Sequence, residues 1–167
     1  MKLIVAVDEN WGIGKDGHLL CHLSQDLQYF KEKTLDQVVV MGLNTLLSLP
    51  GSKPLPHRDN VLLAFPSDDT KAYEEMGVKV VHSIEEVLDM EKDYPDKSMF
   101  IIGGASVYNQ FIPYCDTCYI TKIHERFDAD VHIENLDQNE DFIIKKHTGV
   151  KEEKGIKFQF LEYKRIK

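Results

Sequence analysis

Short, wholly apolar runs recur along this chain with helical patterns between them, and that alternation limits the fold more than any other feature. Candidate strands fall at 3–7, 38–41, 60–64, 78–81, 99–102 and 118–123. LIVAV, VVVM and FII are apolar from end to end, as expected of strands covered on both faces. Helical patterns fall at 24–33, 44–48, 70–76, 83–90 and 105–111, and Ser83 followed by Glu86 is a capping-box signature for the fourth. The expected fold is α/β: a single domain over residues 1–167, with a mainly parallel central sheet of about eight strands and helices on both faces. FIIKKHTGV and IKFQFLEYK, on either side of KEEKG, add an antiparallel C-terminal hairpin at one edge.

A chain of 167 residues buries roughly 70% of its unfolded surface without disulfides or metals. Acids outnumber Lys and Arg by 28 to 20, a net charge of −8 with no basic cluster, which argues against nucleic-acid and anionic-membrane partners. The first apolar run is five residues long before Asp8, too short for a signal-peptide core or a membrane span. Three cysteines are an odd number in a chain that needs no bridges, so a reducing, cytoplasmic setting is expected.

Two strand-to-helix junctions are marked by glycine. VVVMGLNT places Gly42 after a strand, with Asn44 and Thr45 as candidate caps; MFIIGGASVY places Gly103 and Gly104 after another, ahead of Ser106. Glycine lets backbone approach a ligand closely, and a helix N-terminus offers N–H groups to phosphate. In open α/β sheets ligands sit at the carboxyl ends of strands, so two such ends could straddle a pyrophosphate. Neither junction matches GxGxxG or a P-loop, and each glycine also reads as a tight turn. NWGIGKDGHL, residues 10–19, reads either as a mobile loop able to close over a site or as a surface Ω-loop.

Asp26 is the acid that asks for an explanation. Leu23, Leu27, Phe30 and Thr34 form an apolar stripe at helical spacing, and Asp26 falls about 40° from Phe30 on its margin. With Ser24 as N-cap, Asp26 occupies the second helical position and interacts with the helix dipole; that structural role competes with a chemical one. Cys115-Asp-Thr-Cys118 fits CxxC but precedes a strand and has no second pair, while His18, Cys21 and His22 straddle a loop and a helix entry. No metal site is expected from either set.

The order of these segments is more specific than any member. IVAVDENWGIGKDGHL, the acid in LSQDLQYFK, VVVMGxxT, KPLPHRxN, IIGGxSVYxQF and YITKI together resemble bacterial dihydrofolate reductase, from residue 2 to the final KFQFLEYKRI run. The resemblance implies hydride transfer from NADPH to C6 of 7,8-dihydrofolate with protonation of N5, in a monomer that also binds antifolate inhibitors. Asp26 matches the buried acid of the pterin pocket, and Thr121 the threonine that bonds it. Leu27, Phe30 and Leu49 match the apolar walls, and Arg58 the arginine that pairs with the glutamate α-carboxylate. Ala6, Ile102 and Tyr108 match positions shared by pterin and nicotinamide. Ile13 and Gly14 match the carboxamide contacts; Gly42, Leu43, Asn44 and Thr45, with Gly103, Gly104, Ala105, Ser106 and Val107, match the pyrophosphate cradle.

The chain also departs from the family pattern. Basic or polar residues that hold the adenosine 2′-phosphate are replaced by Leu43, Ala64 and Phe65, and an arginine of some members by Ser106. Losing two charge-assisted hydrogen bonds, at about 1.5–3 kcal/mol each, lowers NADPH affinity by about a hundredfold or more, so NADH use is expected unless Lys53 or His82 supplies charge from elsewhere. Cys21 stands where an aromatic residue usually helps hold a water beside the acid, and thiol cannot donate as indole does. Two other readings are a reductase for another pterin or a pyrimidine, and a non-catalytic folate-binding relative. Arg58 argues against the first, since a substrate without a glutamate tail has no need of it; retention of Asp26 argues against the second.

Overall fold

The computed structural model describes residues 1–167 apart from the side chain of His18. In chain order its elements are β1 (Lys2–Val7), β2 (Gly12–Lys15), β3 (His18–Leu19), α1 (Ser24–Thr34), β4 (Val38–Gly42), α2 (Leu43–Ser48), β5 (Asp59–Leu63), α3 (Lys71–Glu75), β6 (Lys79–Val81), α4 (Ile84–Met90), β7 (Met99–Ile101), α5 (Ala105–Phe111), β8 (Thr117–Ile123), β9 (Val131–His132), β10 (Phe142–His147), β11 (Lys151–Glu153) and β12 (Ile156–Arg165). The α/β class holds, and the expected strands and helices are present within one or two residues of their expected ends, except that β10 stops at His147, three residues short of the FIIKKHTGV run. Two compact units emerge: Thr34–Pro113 with Met1, and Lys2–Lys33 with Tyr114–Lys167.

In the first unit β7, β4, β5 and β6 lie side by side, all parallel, with Val38 opposite both Met99 and Asp59 and Leu62 opposite Val80. Val38 to Met41 are fully buried, which is why VVVM carries no polar alternation. Because β4 and β7 are parallel neighbours, Gly42 and Gly103 follow the same ends of adjacent strands. Half of the expected capping box is realised: Ser83 Oγ accepts from the Glu86 N–H (3.1 Å), while Glu86 Oε1 accepts from the N–H of His82, one residue before the cap, at 3.3 Å.

In the second unit β1 pairs parallel with β8, β12 runs antiparallel to β8, and β10 and β11 both run antiparallel to β12. The C-terminal hairpin is therefore present, but KEEKG is not all loop. Lys151–Glu153 is a strand, and only Lys154 (φ 53°) and Gly155 (φ 79°) turn, the left-handed pair of a two-residue hairpin. Residues 10–19 also differ from expectation. They form the β2–β3 hairpin around Asp16 (φ 51°) and Gly17 (φ 79°), with β9 on the other edge of β2. Asp-Gly between short strands is a hairpin signal that three closely spaced glycines concealed. Asp8 anchors the entry, its carboxylate accepting from the N–H groups of Asn10 (2.9 Å), Gly12 (2.8 Å) and Phe127 (3.1 Å). A Cβ on Gly12 would overlap that of Ala129, so this glycine serves close approach.

Candidate active site

Asp26 reaches its position because α1 starts one residue earlier, relative to it, than the cap reading implies. The Leu23 carbonyl accepts from the Asp26 and Leu27 N–H groups (3.1 and 3.0 Å), so Ser24 is the first helical residue and Asp26 the third. Leu23 plugs the helix into a cluster of Ile123, Phe158 and Phe160, with Cys21 and Tyr29 packed against it. The apolar stripe is only partly core: Leu23 is buried while Leu27 is 56% exposed, leaving an uncovered apolar wall one residue beyond the acid. Tyr29 does the packing instead, stacked on Phe160 with ring centroids 4.1 Å apart.

Thr121 lies mid-strand in β8, opposite Ala6 on one side and Phe160 on the other, and is 1% exposed. A hydroxyl in so apolar a strand needs a partner, and it finds one by donating to Asp26 Oδ1 at 2.6 Å. Burial pushes the Asp26 carboxyl above the usual carboxylate range; the Thr121 bond works against this and the Glu153 charge reinforces it. The same burial, with the charges of Asp26 and Glu153, raises the Cys21 thiol, which disfavours its thiolate. A groove of about 370 Å³ bounded by Ser24, Gln25, Gln28, Tyr29, Glu32, Lys151 and Phe160 is not lined by Asp26.

Arg58 is aimed by its own loop. Asn60 donates to the carbonyls of Leu55 (2.9 Å) and Arg58 (3.1 Å) and accepts from the Leu55 N–H (3.0 Å), closing residues 55–60 into a fixed turn. The guanidinium donates to the Pro56 carbonyl (2.9 Å) and Thr34 Oγ1 (3.3 Å). Burial lowers the arginine's pKa and the charge of Asp36 opposes that shift.

The glycine junctions of the first unit meet at close quarters. The Gly42 N–H donates to the Gly103 carbonyl at 2.9 Å, and a Cβ on Gly42 would stand 3.2 Å from Val107. Gly103 has φ +124°, and a Cβ there would stand 3.2 Å from both Thr45 Oγ1 and the Tyr108 ring. The Gly103–Gly104 peptide is cis. Gly42 and Gly104 themselves are the N-caps of α2 and α5, with no side-chain cap on either, so Asn44 and Thr45 lie inside α2 rather than capping it. Ile102 and Tyr108 are buried beside these junctions, while Ser106 Oγ accepts from Gln110 Nε2 (2.9 Å).

Beyond β5 the surface changes character. Ala64 is buried, Phe65 is 76% exposed, and the Phe65 N–H donates to the Asp68 carboxylate (2.9 Å). His82 Nδ1 lies 2.9 Å from the Ala64 carbonyl, which keeps that imidazole at this corner. Among the described residues no group of His, Cys, Asp and Glu is arranged to hold a metal; His18, one of the candidates, lies outside those described. Among the described residues, too, no helix is long and apolar enough to cross a membrane.

Comparison with known proteins settles the family. The dihydrofolate reductase family model matches residues 1–165. It belongs to the dihydrofolate reductase family. The chain is 36% identical to the dihydrofolate reductase of Bacillus subtilis over 166 residues, 99% of this chain and 94% of that one. The corresponding values for the Staphylococcus haemolyticus enzyme are 31%, 100% and 96%. Among solved structures, dihydrofolate reductase from Enterococcus faecalis complexed with NADP(H) and RAB-propyl superposes with a TM-score of 0.83 at 35% identity, covering 99% of this chain and 96% of that one. As a member of that family the chain is an oxidoreductase, and its reaction is NADPH-dependent reduction of dihydrofolate.

Three residues that sequence patterns do not single out fix the backbone around the candidate site residues. Asp8 and Asn60 act through backbone N–H and carbonyl groups, which no side-chain motif reports. Glu153, on β11, accepts from the Ser24 N–H (2.6 Å), the Ser24 hydroxyl (3.0 Å) and the Gln25 N–H (3.0 Å), more than 125 residues away in sequence.

Proposed function

We propose that residues 1–167 act as one dihydrofolate reductase domain in which Asp26 anchors and protonates the substrate. The observation that carries this is the Thr121–Asp26 bond at 2.6 Å on a carboxyl whose pKa burial has raised. An ionised carboxylate accepts two parallel bonds from the amino and amide edge of a pterin. A carboxyl with a raised pKa also retains protons closer to neutrality, as an acid that supports N5 protonation must. Leu27, Phe30 and Leu49 supply apolar wall, and Arg58, an arginine fork, suits the glutamate α-carboxylate better than a lysine would. Antifolates that present the same paired donors use the same carboxylate.

For the cofactor, the cradle fits the pyrophosphate: backbone N–H groups at two uncapped helix starts, and glycines where a Cβ would crowd Val107, Thr45 and Tyr108. Gly42, Leu43, Asn44 and Thr45, with Gly103, Gly104, Ala105, Ser106 and Val107, would hold it, and Ala6, Ile13, Gly14, Ile102 and Tyr108 would orient the nicotinamide. When bound, that ring supplies the hydride; the chain's residues position, desolvate and protonate.

The 2′-phosphate corner fits less well. Leu43, Ala64 and Phe65 carry no charge, and Asp68 brings a carboxylate to the Phe65 N–H. Acids recognise a free ribose hydroxyl, whereas basic groups recognise the 2′-phosphate. NADPH therefore has a reduced advantage and NADH is used well, unless Lys53 or His82, whose ring contacts the Ala64 carbonyl, supplies the charge. The three cysteines are free, in keeping with a cytoplasmic monomer. Steady-state assays with dihydrofolate and each cofactor, repeated on Asp26→Asn, test both parts. Full activity of the variant at neutral pH would refute the acid, and a large NADPH advantage would refute the cofactor reading.

A further inference from the structure

The backbone just ahead of Asp26 is gripped as firmly as its side chain. Glu153 takes both the Ser24 and Gln25 N–H groups and the Ser24 hydroxyl, so the cap of α1 is supplied by another part of the chain. The Lys154-Gly155 turn sets Glu153 at the tip of β11; β11 pairs with β12, and β12 pairs with β8, where Thr121 stands. Two adjacent ribbons thus fix the same helical turn, one by its backbone and the other by its acid.

The chemistry of that contact is specific. Free N–H groups in a first turn form a positive pole that favours an ionised carboxylate within the same turn. Asp26, third in α1, would benefit from that pole were it free. Glu153 occupies it with a carboxylate of its own, lowered in pKa by the backbone bonds it accepts. The groups that face Asp26 are the Thr121 hydroxyl from β8, Glu153 from β11, Cys21 from the segment before the helix and Tyr29 from the next turn of α1. Of these, Glu153 is the other acid.

We propose that Glu153 is a positioning residue for dihydrofolate reduction: it clamps the first turn of α1 to the β11–β12 hairpin and occupies the helix pole that would otherwise favour an ionised Asp26. The inference rests on Asp26 being the acid of the reaction. Glu153 acts through Ser24 and Gln25, the residues it bonds, rather than as the acid itself.

The test is the pH dependence of kcat/KM for the full chain, with a ¹³C-carboxyl NMR titration of Asp26 in the unliganded protein as a readout free of turnover. In E153Q the side chain keeps its length and one acceptor oxygen but loses its charge; E153A loses both. In each, the fall of kcat/KM with rising pH and the NMR midpoint should move to lower pH by about 0.3–0.7 of a unit. Loss of thermal stability with an unmoved or raised midpoint would overturn the proposal and leave Glu153 a purely structural cap. A fall that persists unchanged in Asp26→Asn would overturn the assignment of Asp26 and this inference with it. A fall that Asp26→Asn abolishes but E153Q does not move overturns the inference alone.

Discussion

In the proposed function, the acid end of the second unit and the glycine junctions of the first recognise ligands by opposite means. On that reading Asp26 works by charge: burial raises its carboxyl, the Thr121 side chain opposes that, and the Glu153 charge reinforces it while its bonds hold the backbone at Ser24 and Gln25. The junctions at Gly42 and Gly103 work by absence of side chains, offering uncapped N–H groups and room. A charged contact is specific and fragile, whereas a backbone contact is indifferent to neighbouring side chains as long as the chain path survives. On that reading the corner at Leu43, Ala64 and Phe65 can depart from the family pattern while the proposed pyrophosphate cradle keeps its form.

Removing the charge at the acid end should have the largest effect. Asp26→Asn should lower kcat/KM at pH 7 by about 10²–10³-fold, the range of a lost general acid. Stability should move the other way. A carboxyl raised in the folded state binds more protons there than in the unfolded chain, so stability falls as pH rises from the unfolded value through the folded one. The variant should therefore melt at a higher temperature than wild type at neutral pH, with the gap closing once both states are protonated in acid. A lower melting temperature at pH 7 would show that Asp26 serves the fold rather than the chemistry.

At the junctions the equivalent disruption is a methyl group. Gly103→Ala places a Cβ at φ +124°, 3.2 Å from Thr45 Oγ1 and from the Tyr108 ring, a strain of about 1–3 kcal/mol. Cofactor affinity measured by fluorescence should fall about tenfold while dihydrofolate affinity holds. Equal loss for both ligands would mean the junction supports the whole fold and not the cradle. Restoring charge at the eroded corner is the gentler change. Leu43→Arg should raise the NADPH-to-NADH ratio of kcat/KM by about tenfold, one charge-assisted bond. An unchanged ratio would mean that His82 already supplies the recognition.

The same contrast governs what could be read in the sequence. Strand periodicity and the Ser83 cap write themselves into side chains, and the structure places both as expected; the ordered motifs point to the family, which the comparisons bear out. Asp16-Gly17 and Lys154-Gly155 are hard to read from sequence because their turn signal is two residues long and sits inside longer polar or glycine-rich runs. The true start of α1 was hidden for another reason: Ser24 is a good local cap, but the tertiary cap from Glu153 overrides that propensity. The part played by Asn60 in aiming Arg58 passes through backbone atoms, so its residue type alone does not announce it.

The smallest effect sharpens the comparison most, because its sign is fixed. Thr121→Val removes the one bond that lowers the Asp26 pKa and keeps the shape of the side chain. The carboxyl should titrate higher than in wild type, and the fall of kcat/KM with rising pH should move to higher pH. Substrate affinity should weaken by about tenfold, since the ionised carboxylate loses a donor that contributes about 1.5–3 kcal/mol in part offset by relaxation. E153Q acts on the same acid from the other side and should move the profile to lower pH. Opposite shifts from two residues that touch α1 at different points can arise only if Asp26 is the group that titrates in both. Shifts of the same sign would place the titrating group elsewhere, on the cofactor or substrate, and would leave the bond between Thr121 and Asp26 a feature of packing.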